Sequence, residues 1–132
     1  MTYRTRVSST LVLVAVLAFT LAACTRSPIR VISAQRALSY SAGIQTVYPD
    51  PGYVFMEVKY GGVFGDDLKK EIAITDGNNQ YGVRLVGFTL QGGKKESYVV
   101  VMVPERQLDF QIILGNYPPV DFKAEEGIKE RL

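Results

Sequence analysis

Residues 53–60 read YVFMEVKY, and this stretch decides the predicted fold. Successive side chains of a strand point to opposite faces, so an apolar residue at every second position predicts a strand with a buried face. Two glycines follow and end the pattern. The side chains predicted to face inward are Val54, Met56, Val58 and Tyr60, and those predicted to face the other way are Tyr53, Phe55, Glu57 and Lys59.

The same period of two continues on the C-terminal side. Residues 71–75 (EIAIT) and 80–88 (QYGVRLVGF) are predicted strands. They are joined by DGNN at 76–79, a hairpin signal because Asp, Gly and Asn tolerate the positive φ that tight turns need. The side chains predicted to face inward are Ile72 and Ile74 from the first strand, and Tyr81, Val83 and Leu85 from the second.

Further strands follow the predicted turn QGGKK at 91–95. Residues 97–103 (SYVVVMV) are apolar on both faces, which places them in the middle of a sheet. Residues 107–114 (QLDFQIIL) alternate again, 120–122 predict an edge strand, and 124–132 predict a polar tail or a short helix. The side chains of 107–114 predicted to face inward are Leu108, Phe110, Ile112 and Leu114.

The segment before the first quoted strand is less regular. Residues 30–40 (RVISAQRALSY) predict a strand, with a short helix at 34–38 as the alternative. Residues 41–52 predict a long loop, because Pro49 and Pro51 bracket an aspartate and a glycine follows. The side chains that the strand would place on one face are Ile32, Ala34, Leu38 and Tyr40.

These patterns together predict about seven short strands separated by turns, with no long helix. Strands of this length at this spacing are typical of an immunoglobulin-like antiparallel β-sandwich. A small barrel is the alternative, because it produces the same alternation. The fold class is therefore predicted as all-β.

Four of the stretches resemble a known family. PGYVFMEVKY, IAITDGNNQY, VVVMVPE and LDFQIIL are similar to the pattern of immunoglobulin-like exported domains of the DUF4352 type. The resemblance covers roughly residues 52–114; where the family pattern has an asparagine after its first strand, this chain has Tyr60-Gly61-Gly62. The resemblance implies an extracytoplasmic sandwich that binds other molecules and is not a catalyst.

The first 23 residues predict a secretory signal peptide. Arg4 and Arg6 supply positive charge, residues 11–23 are almost wholly apolar, and Ala22 and Ala23 form a small-residue cleavage site. A membrane-spanning helix needs about 20 apolar residues, whereas residues 11–23 supply only 13, so cleavage is the favoured interpretation.

LAAC at 21–24 resembles the lipobox of bacterial lipoproteins. The resemblance implies cleavage before Cys24 and acylation of that cysteine by palmitate-type chains, and stable anchoring needs more than one chain. Because Thr25 is not the aspartate associated with inner-membrane retention, it also implies the periplasmic face of the outer membrane in a cell with two membranes. The predicted organisation is a signal peptide at 1–23, a lipid-anchored tether at 24–29 and a sandwich domain at 30–132.

Composition excludes several classes of function. The chain has 15 basic and 13 acidic residues, and removing Arg4 and Arg6 leaves 13 of each, so no basic stripe for nucleic acid is expected. The absence of histidine excludes Ser-His-Asp and Cys-His catalysis and histidine-bearing zinc sites. We therefore expect a protein without catalytic residues, which is not an enzyme.

Carboxylates offer the remaining possibility of a metal site. DGNNQ begins like a calcium loop, but the twelfth position counted from Asp76 is Gly87, where a bidentate glutamate is needed. We interpret these residues as turn residues and expect no metal and no cofactor. A looser calcium site formed by Asp50, Asp66 and Asp67 stays open at this point.

Tyrosines supply the candidate contact residues. Tyr48 and Tyr117 lie beside prolines in predicted loops, and tyrosine is enriched at interfaces because its body is apolar and its tip polar. The expected function is a lipid-anchored envelope module that contacts an envelope protein partner through loops or an edge strand. The alternative is a small-ligand carrier, which an apolar pocket above roughly 300 Å³ would favour.

Overall fold

The computed structural model describes residues 26–63, 67 and 70–132, so Cys24 and the signal peptide lie outside the described residues. Within them the chain forms eleven strands. They are β1 (Arg30–Ala37), β2 (Tyr40–Ala42), β3 (Gln45–Val47), β4 (Tyr53–Gly61), β5 (Ile72–Thr75), β6 (Gln80–Tyr81), β7 (Val83–Gln91), β8 (Lys94–Pro104), β9 (Asp109–Leu114), β10 (Val120–Lys123) and β11 (Ile128–Lys129).

The strands form two main sheets that pack face to face. The five-stranded sheet has the order β11-β1-β4-β8-β7, and the four-stranded sheet has the order β10-β9-β5-β6. A third, two-stranded sheet pairs β2 with β3. The pair β1–β11 is parallel, and the other pairs are antiparallel. The all-β, immunoglobulin-like sandwich is therefore confirmed, and the barrel alternative is wrong because each sheet keeps two separate edges.

The core lies between the two sheets and includes the inward side chains of the strands in which apolar residues alternate. Burying one such side chain contributes about 1.5–3 kcal/mol to folding, so this alternation is the main source of stability. The predicted inward faces of residues 53–60 and 107–114 are confirmed. The fully buried apolar side chains of this core are Val54, Met56, Val58, Ile74, Val99, Val101, Val103, Ile112 and Leu114, each with 0% exposure.

The outer face of the five-stranded sheet is also covered near its centre. Phe55 and Val100 are 1% exposed although they point away from the main core. The ring of Tyr40 meets that of Phe55 edge to face, with 4.6 Å between centroids. The prediction of a long loop at 41–52 is wrong in its first half, because β2 and β3 form a small hairpin that brings Tyr40 onto this face.

The predicted inward face of the first strand is partly wrong. Ala34 is buried, but Ile32 and Leu38 are 44% and 48% exposed. The register of β1 against β4 shifts between Val31 and Ser33. A bulge adds one residue to a strand and reverses which side chains face inward, so the period of two does not hold at Ile32. Leu38 lies beyond the last residue of β1, where the alternation ends.

Residues 80–88 do not form one strand. Gly82 separates β6, in the four-stranded sheet, from β7, in the five-stranded sheet. The ring of Tyr81 packs against that of Phe110, 5.9 Å away, as the predicted inward face requires. Val83 and Leu85 are 37% and 39% exposed, so this part of the prediction is wrong.

The C-terminal segment is neither a free tail nor a helix. Its strand β11 pairs with the end of β1, and the buried Arg36 side chain holds the chain leading into it. The guanidinium donates to the carbonyl oxygens of Glu125 (2.9 Å), Glu105 and Glu126. A buried cation is satisfied here by backbone dipoles, so the last residues of the chain form part of the folded domain.

Candidate functional site

Strand β7 is the last strand of the five-stranded sheet, and among the described residues no strand pairs with its outer side, so it is called the free edge below. It has nine residues, of which Arg84 is the one charged residue. Edge strands present unpaired N–H and C=O groups, and an apolar edge is a template for pairing with another chain. The exposed apolar side chains of β7 and their exposed fractions are Val83 37%, Leu85 39%, Val86 61%, Phe88 59% and Leu90 70%.

The other edge strands of the two main sheets are short, and one of them carries exposed charged side chains. Strands β11 and β6 have two residues each. Strand β10 has four residues, and the charged side chains of Asp121 and Lys123 are exposed on it. Short length and charge are the usual protections against strand pairing. Strand β7 is longer than these strands and carries one charged side chain, Arg84, so it is the least protected of the edges in the described part of the chain.

The middle of β7 is shaped by a glycine. Gly87 pairs with Tyr98 of β8, and a Cβ atom at Gly87 would lie 2.5 Å from the Tyr98 hydroxyl oxygen. The tyrosine ring therefore covers the glycine, an arrangement that compensates for the side chain an edge glycine lacks. Gly87 itself adds no side chain to this part of the edge.

A cleft of about 630 Å³ opens beside β7, between the two sheets. This volume lies within the range of small-molecule sites, about 300–1,000 Å³. Its walls are mainly apolar, with the polar side chains of Asp67, Lys70, Glu71, Lys95 and Ser97 around them. The apolar lining residues are Tyr60, Val63, Ile72, Val83, Val86, Phe88 and Leu114.

Two lysines at the cleft have different surroundings. Lys70 Nζ lies 3.1 Å from Asp67 Oδ1 and 4.2 Å from the centroid of the Tyr117 ring. The hydrogen bond to Asp67 raises the pKa of Lys70 above its usual value. Lys95 Nζ lies over the Phe88 ring, 4.5 Å from its centroid. Among the described residues, Lys95 forms no ion pair.

The structure does not bring the two predicted contact tyrosines together. Tyr48 is 72% exposed near the start of β4, where the Asp50 amide lies 3.5 Å from Met102 Sδ. Tyr117 is half-buried near the end of β9, and its hydroxyl donates to Asp67 Oδ1 at 3.3 Å. The two therefore lie at opposite ends of the sandwich and cannot form one contact surface.

The one aspartate of the predicted turn, Asp76, is held by hydrogen bonds of the hairpin. Asp76 Oδ1 accepts the amides of Asn78 (2.8 Å) and Asn79 (2.7 Å), and Oδ2 accepts the hydroxyl of Tyr81 at 2.6 Å. These donors, above all Tyr81, hold the pKa of Asp76 well below its usual range. The carboxylate is ionised at neutral pH and serves the hairpin, as the turn interpretation expects.

A loose calcium site is not assembled in the described part of the chain. Asp50 lies near the start of β4, whereas Asp67 lies with Tyr117 at the opposite end. Asp66 falls outside the described residues. No group of three or more carboxylate, cysteine or histidine side chains converges among the residues that are described.

Comparison with known proteins identifies no relative: no family model, curated protein or solved structure matches this chain. The resemblance to the DUF4352 type and to bacterial lipoproteins therefore stays a prediction. No helix in the described ranges has the length and hydropathy needed to cross a membrane.

Sequence reasoning missed β7 as a site because it assigned the strand to the core. Its signals were Gly82, which interrupts the pattern, and five apolar residues that fall on both faces of residues 83–90. The same pattern is typical of a strand buried on both faces. Periodicity alone does not distinguish such a strand from an apolar edge.

Proposed function

We propose that this protein is a lipid-anchored, non-catalytic module of the cell envelope that binds an envelope protein by strand addition to β7. The observation that carries the proposal is the nine-residue free edge with exposed apolar side chains. In strand addition, main-chain hydrogen bonds supply affinity and alternate side chains supply specificity. No nucleic acid, metal or cofactor is part of the proposal.

The geometry suggests what the partner strand contacts. Val83 and Val86 pair with Val101 and Val99 of β8, so they share the face that lines the cleft. A strand added beside β7 would extend the five-stranded sheet, and its inward side chains would lie over the mouth of the cleft. We therefore expect the partner segment to carry apolar residues at alternate positions.

The strand-addition proposal predicts that Val86→Lys weakens partner binding about tenfold while the domain stays folded. Val86 is 61% exposed, so lysine is tolerated, but a lysine on an edge strand opposes pairing. In affinity capture from detergent-solubilised envelope, recovery of the partner should fall about tenfold, which corresponds to about 1.4 kcal/mol.

Ile128→Lys is the matched control, because Ile128 is an apolar residue, 37% exposed, on the two-residue edge strand β11. It should leave capture unchanged. A partner recovered equally well with Val86→Lys would place the contact elsewhere on the domain.

The proposed localisation depends on Cys24. Its acyl chains would anchor the protein on the periplasmic face of the outer membrane in a cell with two membranes. Acylation requires the thiol, so Cys24→Ser should abolish incorporation of radioactive palmitate and leave uncleaved precursor. Metabolic labelling and gel mobility measure both effects. A serine variant that still incorporates label and fractionates with membranes would refute the lipoprotein assignment.

A small-ligand carrier is the second candidate, favoured by the cleft of about 630 Å³. The two candidate functions differ in whether a small molecule copurifies with the protein. Native mass spectrometry of the protein extracted from envelope should show a stoichiometric small molecule if the cleft carries one. Binding by β7 requires no such molecule.

A further inference from the structure

One row of residues runs across the five-stranded sheet at the end where the domain begins. Val31 of β1 pairs with Tyr60 of β4, Tyr60 with Ser97 of β8, and Ser97 with Phe88 of β7. Neighbouring strands lie about 4.8 Å apart, so Phe88 is about 14 Å from Val31 across the sheet. The first strand and the far half of β7 therefore share one end of the sandwich.

The N-terminal chain is fixed at this end. Ile29 is 5% exposed and belongs to the core. Gly62, with φ of 85°, lies so close to the preceding segment that a Cβ atom there would be 2.1 Å from the Pro28 carbonyl oxygen. Cys24 is five residues before Ile29, which limits its distance from the domain to about 18 Å.

The β7–β8 hairpin projects beyond the row. Leu90 pairs with Lys95, two residues past Phe88, so it lies about 7 Å further out. Gly92 and Gly93, both with positive φ, form the turn at the tip. Phe88 and Leu90 are 59% and 70% exposed, and Lys95 lies over the Phe88 ring. An exposed apolar tip with a lysine beside it thus lies at the end of the sandwich where the chain enters the domain.

We propose that this hairpin tip, formed by Phe88, Leu90 and Lys95, contacts the surface of the bilayer that holds the acyl chains of Cys24. Phe88 and Leu90 enter the boundary between headgroups and acyl chains, as the apolar faces of interfacial segments do. The Lys95 stem follows them and its ammonium reaches a headgroup phosphate. The inference rests on the proposed acylation of Cys24 and goes beyond partner binding.

The short tether between Cys24 and Ile29 and the apolar side chains of the hairpin tip favour a membrane as the surface that the tip contacts. A tether of this length holds the tip near the bilayer at an effective concentration on the order of millimolar, so a small apolar contact suffices. Glu71 and Glu96 also lie at this end of the domain. Apolar insertion, rather than net charge, therefore drives the contact. The first half of β7 stays open to a protein partner.

The chain contains no tryptophan, so one introduced indole reports its own surroundings. The test uses acylated Leu90→Trp reconstituted in vesicles of phosphatidylethanolamine and phosphatidylglycerol whose acyl chains carry bromine. We expect blue-shifted emission and at least twofold quenching relative to vesicles without bromine. Tyr48→Trp is the matched control, because Tyr48 is equally exposed but lies at the opposite end, and its emission should be unaffected.

Phe88→Trp is a second reporter on the same face and should be quenched as well. Acylated protein in which the Leu90 and Tyr48 variants are quenched equally would overturn the membrane contact and leave partner binding by β7 standing. A chain that incorporates no fatty acid would overturn the proposed anchoring and the membrane contact together. The labelling result therefore separates the two failures.

Discussion

Replacing Val101 by aspartate is expected to prevent the domain from folding. Val101 is 0% exposed in β8, between Met56 of β4 and Val83 of β7. A buried charge without a partner costs about 3–5 kcal/mol, and protonating the carboxyl group still leaves a polar group unpaired. Losing the burial of the valine costs about 1.5–3 kcal/mol more, so the summed cost reaches the lower part of the total stability of a domain this size, about 5–15 kcal/mol. Far-ultraviolet circular dichroism and a thermal melt measure the loss.

Val86→Asp is the control for this experiment. It introduces the same charge on the adjacent strand, at a valine that is 61% exposed. The expected cost is about 1 kcal/mol or less, so this variant should melt cooperatively near the wild-type temperature. A soluble Val101→Asp domain with unchanged melting would show that β8 is not part of the core.

Arg36→Met is expected to destabilise the domain by about 2–5 kcal/mol. Arg36 is 5% exposed, and its three donating nitrogens reach the carbonyl oxygens of Glu105, Glu125 and Glu126. A hydrogen bond to a charged group contributes about 1.5–3 kcal/mol, and methionine leaves these acceptors without a donor. The melting temperature should fall by roughly 10–20 °C.

Hydrogen exchange of individual amides shows which part of the domain loses stability in Arg36→Met. The amides of Leu38, which donates to Lys129, and of Glu125, which donates to Ala34, should lose protection first because they hold the C-terminal segment. Arg36→Lys should recover only part of the stability, since a single ammonium does not reproduce the guanidinium fork.

Arg30→Met is the control, because Arg30 is an exposed arginine of the same strand. Melting of Arg36→Met within a degree of the wild type would show that the three carbonyl groups need no donor from Arg36.

The sequence was sufficient to predict the all-β class, the DGNN turn and the inward faces of β4, β5 and β9, because each depends on neighbours within a few residues. It was not sufficient for β1, where a bulge at Val31–Ser33 reverses the facing. It also missed the buried role of Arg36, since the carbonyl groups that satisfy it lie 69 to 90 residues further along the chain.

For the candidate site, too, the sequence determined some features and the tertiary structure decided the others. The sequence by itself determined the apolar character of β7 and the lipobox-like stretch that ends at Cys24. Only the tertiary structure decided that β7 lies at an edge, that Tyr48 and Tyr117 lie at opposite ends, and that the β7–β8 tip lies at the end where the chain enters the domain. Whether an apolar strand is buried or exposed depends on how many strands pair with it and cover it. Those neighbours come from distant parts of the chain, whereas alternation along a strand is a local property.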